Sequence, residues 1–167
     1  MTGIARPSID AQLINRMNLR ANIKRVPIFG LGCVAGAAGI ARAADYVRAF
    51  PQHHAALVSV ELCSLTWQHK DFSVANIISS GLFGDGAAAV VISGAEREVN
   101  GPQVLASCSS FYRGSEGVMG WDITSDGFNL VLSSAVPNMV RQHLEKKASK
   151  ICCFSPSSMA RLRTSAP

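Results

Sequence analysis

Charge is scarce in this chain. Only 16% of its 167 residues are Asp, Glu, Lys or Arg, against 48% hydrophobic ones. That balance excludes a disordered chain and leaves one globular domain long enough to bury a core. No apolar run reaches the ~18 residues that a membrane span needs. The opening stretch, Met1 to Pro7, lacks the apolar centre of a secretory signal. No Cys-x-x-Cys or His-x-x-x-His spacing occurs, which argues against a zinc site, and no metal or other cofactor is expected. The odd number of cysteines, five, without a secretory signal predicts reduced thiols and a cytoplasmic location. Gly84-Asp85-Gly86 lacks the Gly-Lys-Ser/Thr of a phosphate-binding loop, so Asp85 is expected to serve an Asx-type turn. The net charge of +5 is also less than it looks. Residues 1–134 hold ten basic and ten acidic side chains, and the excess lies in residues 135–167. A solvated basic end, not a nucleic-acid surface, is the reading. No internal repeat is present.

Ser8 is a plausible N-cap for a helix carrying Ile9, Leu13, Ile14 and Met17 at helical spacing. Ile23–Phe29 is short, apolar and bounded by Gly30, which predicts a buried strand. A small-residue helix follows from Val34 to Phe50, then a strand at Ala55–Leu62. Strand, helix and strand in that order predict a right-handed βαβ unit in a parallel or mixed sheet. A helix is expected over 73–81 and a central strand over 87–92 after the glycine loop at 81–86. Strands are expected at 104–112 and 128–133, and an amphipathic helix at 136–147 with Pro137 in its first turn. The division predicted is a partial domain over 1–147 and an irregular basic tail over 148–167.

Gly30-Leu31-Gly32-Cys33 places a cysteine at a strand-to-helix turn. Unpaired N–H groups and the positive end of a helix dipole favour the thiolate there. Most free cysteines are inert buried thiols, and position alone distinguishes this one. Two rival readings compete. Gly30-x-Gly32-x-x-Ala35 with Glu61 matches a dinucleotide fingerprint in form, with the acid somewhat late. A hydrolase elbow fails, because Leu31 and Ala35 stand at its glycine positions. His53, His54, His69 and His143 sit in no motif and are expected at the surface.

The motifs Gly30-Leu31-Gly32-Cys33-Val34-Ala35-Gly36, Val60-Glu61-Leu62-Cys63-Ser64-Leu65-Thr66, Gly81-Leu82-Phe83-Gly84-Asp85-Gly86 and Met119-Gly120-Trp121-Asp122, with Gly127-Phe128 and Ala135-Val136-Pro137, resemble the thiolase superfamily. Within it they look like the type III polyketide synthases (chalcone synthase-like), and more like the bacterial enzymes than the plant ones. The resemblance runs from about Met1 to Glu145. It implies an α/β, thiolase-like fold of αβαβα layers, incomplete, with a mixed sheet and a buried nucleophile helix. It implies an acyltransferase that condenses an acyl-CoA starter with malonyl-CoA, with coenzyme A thioesters as substrates and a homodimer as the assembly. Cys33 would be the acyl-carrying nucleophile and Phe83 a gate between coenzyme A tunnel and cavity. Cys63, Thr66, Trp121, Phe128 and Leu130 would shape that cavity, although core packing explains Leu130 equally well. Cys63 stands where the plant enzymes usually have threonine. The family's catalytic His, in a His-Pro-Gly-Gly motif, and its Asn, in a Gly-Asn motif, do not occur in this sequence. Little or no condensation is therefore expected, and a truncated or frame-shifted coding sequence would explain the change of character after Lys147. A ketoacyl-carrier-protein synthase III-like enzyme is the runner-up, and its pattern fits Phe83 and Trp121-Asp122 less well.

Overall fold

The structure, a computed structural model, describes residues 7–125 and 127–143. The basic tail over 148–167 and the end of the 136–147 helix lie outside the described residues. Three α-helices carry the frame: α1 (Ile9–Arg16), α2 (Ala35–Ala49) and α3 (Val74–Leu82). Four strands pair as two antiparallel sheets, β1 (His54–Glu61) with β2 (Gly86–Ser93) and β3 (Met119–Thr124) with β4 (Gly127–Leu132). Residues 136–143 are helical, with Pro137 in the first turn as expected.

Helix α2 lies on the β1–β2 pair. Small residues let it come close: a Cβ built on Gly39 would stand 2.6 Å from Leu57 Cδ1. Gly39, Ala44 and Val47 form the buried face of α2. The connection from α2 to β1 is lashed to the end of β2. His53 O accepts from Gly94 N at 3.0 Å, Pro51 O from Glu96 N at 3.1 Å, and Gln52 O from Arg97 Nε at 2.6 Å. Gly94 is required there, because a Cβ would meet Pro51 O at 2.1 Å. The β3–β4 hairpin pairs Thr124 with Gly127 across a two-residue connection. Gly127 adopts φ 108°, a left-handed conformation that glycine takes without the cost of a Cβ clash. Helix α3 packs on β4. Its N-cap is Ser73, whose hydroxyl accepts from Asn76 N at 3.2 Å.

Several expectations are corrected. Residues 23–29 form no strand and pair with none of the described strands, and Val26 and Phe29 are exposed. The βαβ unit therefore lacks its first strand, and the described strands show antiparallel pairing in place of a mixed sheet. An apolar run marks burial potential, but a strand also needs a neighbouring edge to bond to. β2 is not central: it pairs with β1 alone and most of it is exposed. The 104–112 stretch is irregular, and Arg48 Nη2 donates to Val104 O at 2.7 Å and to Leu105 O at 3.2 Å in place of a ladder. Residues 119–124, read only as a motif, form β3. Ser8 sits at the N-cap of α1, but its hydroxyl bonds the Asp10 carboxylate and not the helix backbone.

Candidate active site

Cys33 lies in a single 3₁₀ turn, Gly32–Val34, that runs into α2. Gly30 and Gly32 have φ of 87° and 54°, so both hold left-handed backbone that glycine adopts readily. The helix after Cys33 buries its inner face at Gly39, Ala44 and Val47, while Cys33 itself, on the turn before it, is exposed.

Helix α2 and strand β1 pack together and are joined by only four residues, so they run in opposite directions. The start of α2 and the end of β1 consequently meet at one end of the unit. Cys33 precedes α2 by two residues and Cys63 follows β1 by two. Cys63 opens a second 3₁₀ turn, Cys63–Thr66, and is half-buried. Its thiol pKa is raised, first by burial, then by the charges of Glu61 and Asp85 and also that of Cys33. The topology brings the Cys33 and Cys63 turns to the same end of the α2–β1 unit. Thr66 Oγ1 donates to Cys63 O at 2.8 Å, which fixes the turn's shape.

Phe83 is the C-cap of α3 and half-buried. Two residues later, Asp85 reaches back to the turn: Oδ1 accepts from Ser64 N at 2.8 Å and Oδ2 from Ser64 Oγ at 2.6 Å. These bonds hold its carboxyl below the usual carboxylate range. The expected local Asx turn is thus replaced by a link between two loops, which sequence reasoning missed. The signal was available in form only, as a carboxylate between glycines and a Ser after Cys63.

Trp121 and Leu130 are cross-strand partners, and Phe128 lies two residues from Leu130 on the same face of the β3–β4 hairpin. Trp121 and Phe128 meet edge to face with centroids 6.4 Å apart. The 63–66 turn lies against β4, and Gln68 Nε2 donates to Phe128 O at 3.1 Å. Gln68 is a second contributor that no motif announced. The six positions proposed around Cys33 thus form one connected set: Cys63 and Thr66 on the turn, Phe83 through Asp85, and the Trp121, Phe128 and Leu130 face through Gln68 and β4.

The histidines are engaged elsewhere. His53 Nδ1 lies 2.8 Å from Tyr46 Oη, His54 Nδ1 lies 2.8 Å from Ser93 Oγ, and His69 and His143 pack on Trp67 and Tyr112. The described residues hold no cluster of His, Cys, Asp and Glu that could bind a metal, and no described helix is long and apolar enough to cross a membrane. A dinucleotide fingerprint needs a strand leading into Gly30. Residues 23–29 do not supply one, so the Gly30, Gly32 and Glu61 reading loses its structural context.

Known proteins share this fold. The chain is 50% identical over 147 residues to a 1,3,6,8-tetrahydroxynaphthalene synthase of Streptomyces peucetius subsp. caesius, covering 86% of this chain and 39% of that protein. It is 43% identical over 150 residues to a putative chalcone synthase of Bacillus subtilis, covering 86% and 41%. The crystal structure of 1,3,6,8-tetrahydroxynaphthalene synthase from Streptomyces coelicolor, a bacterial type III polyketide synthase, superposes with a TM-score of 0.81 at 36% identity, over 89% of this chain and 43% of that one. The chain thus spans about two-fifths of the length of these relatives, and the shared fold is the thiolase-like α/β fold expected. The model of the FAE1/type III polyketide synthase-like proteins matches residues 4–105, and the chain belongs to that family.

Proposed function

We propose that this chain carries the acyl-anchoring half of a type III polyketide synthase active site, with Cys33 as nucleophile. The observation that carries the reading is the convergence of Cys33 and Cys63 where α2 begins and β1 ends, with the Phe83 loop tied to the same turn. Cys33 Sγ attacks the carbonyl carbon of an acyl-CoA thioester. The tetrahedral intermediate collapses with loss of the coenzyme A thiolate, leaving the acyl group on Cys33. Nucleophile and leaving group are both thiolates, so the exchange is close to thermoneutral. Phe83, Cys63, Thr66, Trp121, Phe128 and Leu130 form the wall along which the acyl chain lies.

Condensation with malonyl-CoA makes an enolate that needs oxyanion donors. Loss of one such donor costs about 10²–10³-fold in rate. The sequence contains neither the His-Pro-Gly-Gly nor the Gly-Asn motif of the family, so the chain accepts an acyl group but does not extend it. No cofactor is required, and the partners are acyl-CoA, malonyl-CoA and a second copy of the chain. The purified chain is mixed with hexanoyl-CoA and malonyl-CoA, and both protein mass and small-molecule products are followed. A hexanoyl adduct without triketide or tetraketide products is expected. Turnover to a cyclised product overturns the second half of the reading, and a chain with no acyl adduct overturns the first.

A further inference from the structure

The Cys63–Thr66 turn begins without a cap from its own residues: Leu62, at its N-cap, makes no side-chain cap bond. The first N–H groups of such a turn need an acceptor. It comes from a different part of the chain, 21 residues away, as the Asp85 carboxylate. One oxygen takes the Ser64 N–H and the other the Ser64 hydroxyl. Charge-assisted bonds of this kind are roughly twice as strong as neutral ones. The loop is anchored at its ends, with Phe83 N donating to Ser79 O at 2.9 Å and Gly86 paired with Glu61 in the β1–β2 ladder. Gly84 and Gly86 flank Asp85, neither lies in left-handed backbone, and a Cβ on either would meet nothing within 4 Å. Between those anchors the Asp85 carboxylate adds a side-chain tie from the Phe83 loop to the Cys63–Thr66 turn.

We propose that Asp85 is a positioning residue that locks the Phe83 loop onto the Cys63–Thr66 turn, so that the two act as one wall and set which acyl-chain lengths reach Cys33. The proposal rests on the acylation reading above and adds to it the residue that fixes chain-length selection. Without the link, the Phe83 loop keeps its ladder and helix anchors but loses its tie to the turn, and the wall discriminates less sharply.

The test uses the full chain with acetyl-CoA, hexanoyl-CoA and dodecanoyl-CoA, reading the initial rate of adduct formation on Cys33 by mass spectrometry. In Asp85→Ala the ratio of rates between the shortest and longest acyl groups changes by about tenfold, within the ~10²-fold that a 1 Å misplacement can cost. Alkylation of Cys33 by iodoacetamide stays at the wild-type rate, because Asp85 does not touch Cys33. Asp85→Asn keeps the ratio close to wild type, since its amide oxygen still accepts the Ser64 N–H and its NH2 can donate to Ser64 Oγ. Amide exchange gives a readout independent of acylation: Ser64→Ala speeds exchange in the peptide covering 81–87, on the other loop, as well as in its own. An unchanged ratio in Asp85→Ala on a wild type that does acylate overturns the positioning role alone. Loss of Cys33 alkylation together with the ratio, or faster exchange confined to residues 62–67 in Ser64→Ala, also overturns it. A wild type that takes no acyl group at all overturns the acylation reading and the length selection with it.

Discussion

At the scale of single residues, the two thiols at the candidate site differ in a way that can be measured. Cys63 is half-buried, and burial with the neighbouring carboxylates pushes its thiol pKa up. At pH 8 it should carry less thiolate than an ordinary cysteine and react more slowly with iodoacetamide, because the thiolate is the nucleophile. Peptide mapping should show Cys63 alkylated well after Cys108, which is exposed, with the difference vanishing in urea. Equal rates in the native protein would contradict the placement of Cys63. Asp10 makes a second test. Arg25 Nε donates to its Oδ2 at 2.5 Å, and the carboxyl pKa falls from 3.8 to about 2. A lowered folded-state pKa stabilises above the unfolded value and is lost as pH falls through the folded one. The pair lies at the surface, with side chains 41% and 36% exposed, so its worth is at most about 1 kcal/mol. Asp10→Asn should therefore lower stability slightly at pH 7 and by less as pH falls through about 2, as read by urea titration at pH values on both sides of that point.

At the scale of elements, packing distance decides which glycines matter. In Gly94→Ala the new methyl meets the Pro51 backbone, which cannot move without breaking the α2–β1 connection. Overpacking of this kind costs about 1–3 kcal/mol. In Gly39→Ala the obstacle is the end of the flexible Leu57 side chain, and the loss is offset by the roughly 1 kcal/mol that Ala gains over Gly inside a helix. Thermal melts should rank Gly94→Ala far below Gly39→Ala, and the reverse order would contradict the packing of α2 on β1. The elements were unequally legible. Helices α2 and α3 and strands β1, β2 and β4 follow from local signals: small-residue periodicity, short apolar runs, and the glycine loop at 81–86. Pairing was not legible, because a ladder depends on which edges the whole chain brings together. Residues 23–29 carry the composition of a strand and find no partner among the described strands, while β3 lay unread in a stretch whose Gly and Asp weaken strand propensity. Of the candidate site, Cys33 and the positions proposed around it were named from motifs. The Asp85 link and the Gln68 contact were not, since each joins residues distant in sequence.

At the scale of the whole molecule, the described residues do not enclose a full core. Ala44 and Val47 are their only buried apolar side chains. Exposed apolar groups cover three separate elements, with Val74, Ile77, Ile78 and Leu82 along α3, Val90 and Val91 on β2, and Leu65 and Trp67 beside the 63–66 turn. Surfaces of this kind associate. Sedimentation velocity across a concentration series should show self-association, with dimers or larger species gaining at high concentration. Ile77→Glu, in the middle of the α3 face, should shift the distribution toward monomer. A strictly monomeric chain that binds no hydrophobic dye would contradict the exposed faces seen here.

The central claim is that Cys33 is an acyl acceptor held at the junction of α2 and β1. Its most direct test is site-resolved mass spectrometry of the chain after incubation with a single acyl-CoA, alongside Cys33→Ser and Cys63→Ser. The expected result is one thioester adduct, mapped to Cys33, released by hydroxylamine, absent in Cys33→Ser and retained in Cys63→Ser. An adduct that persists in Cys33→Ser, or a wild-type chain with none, would contradict it.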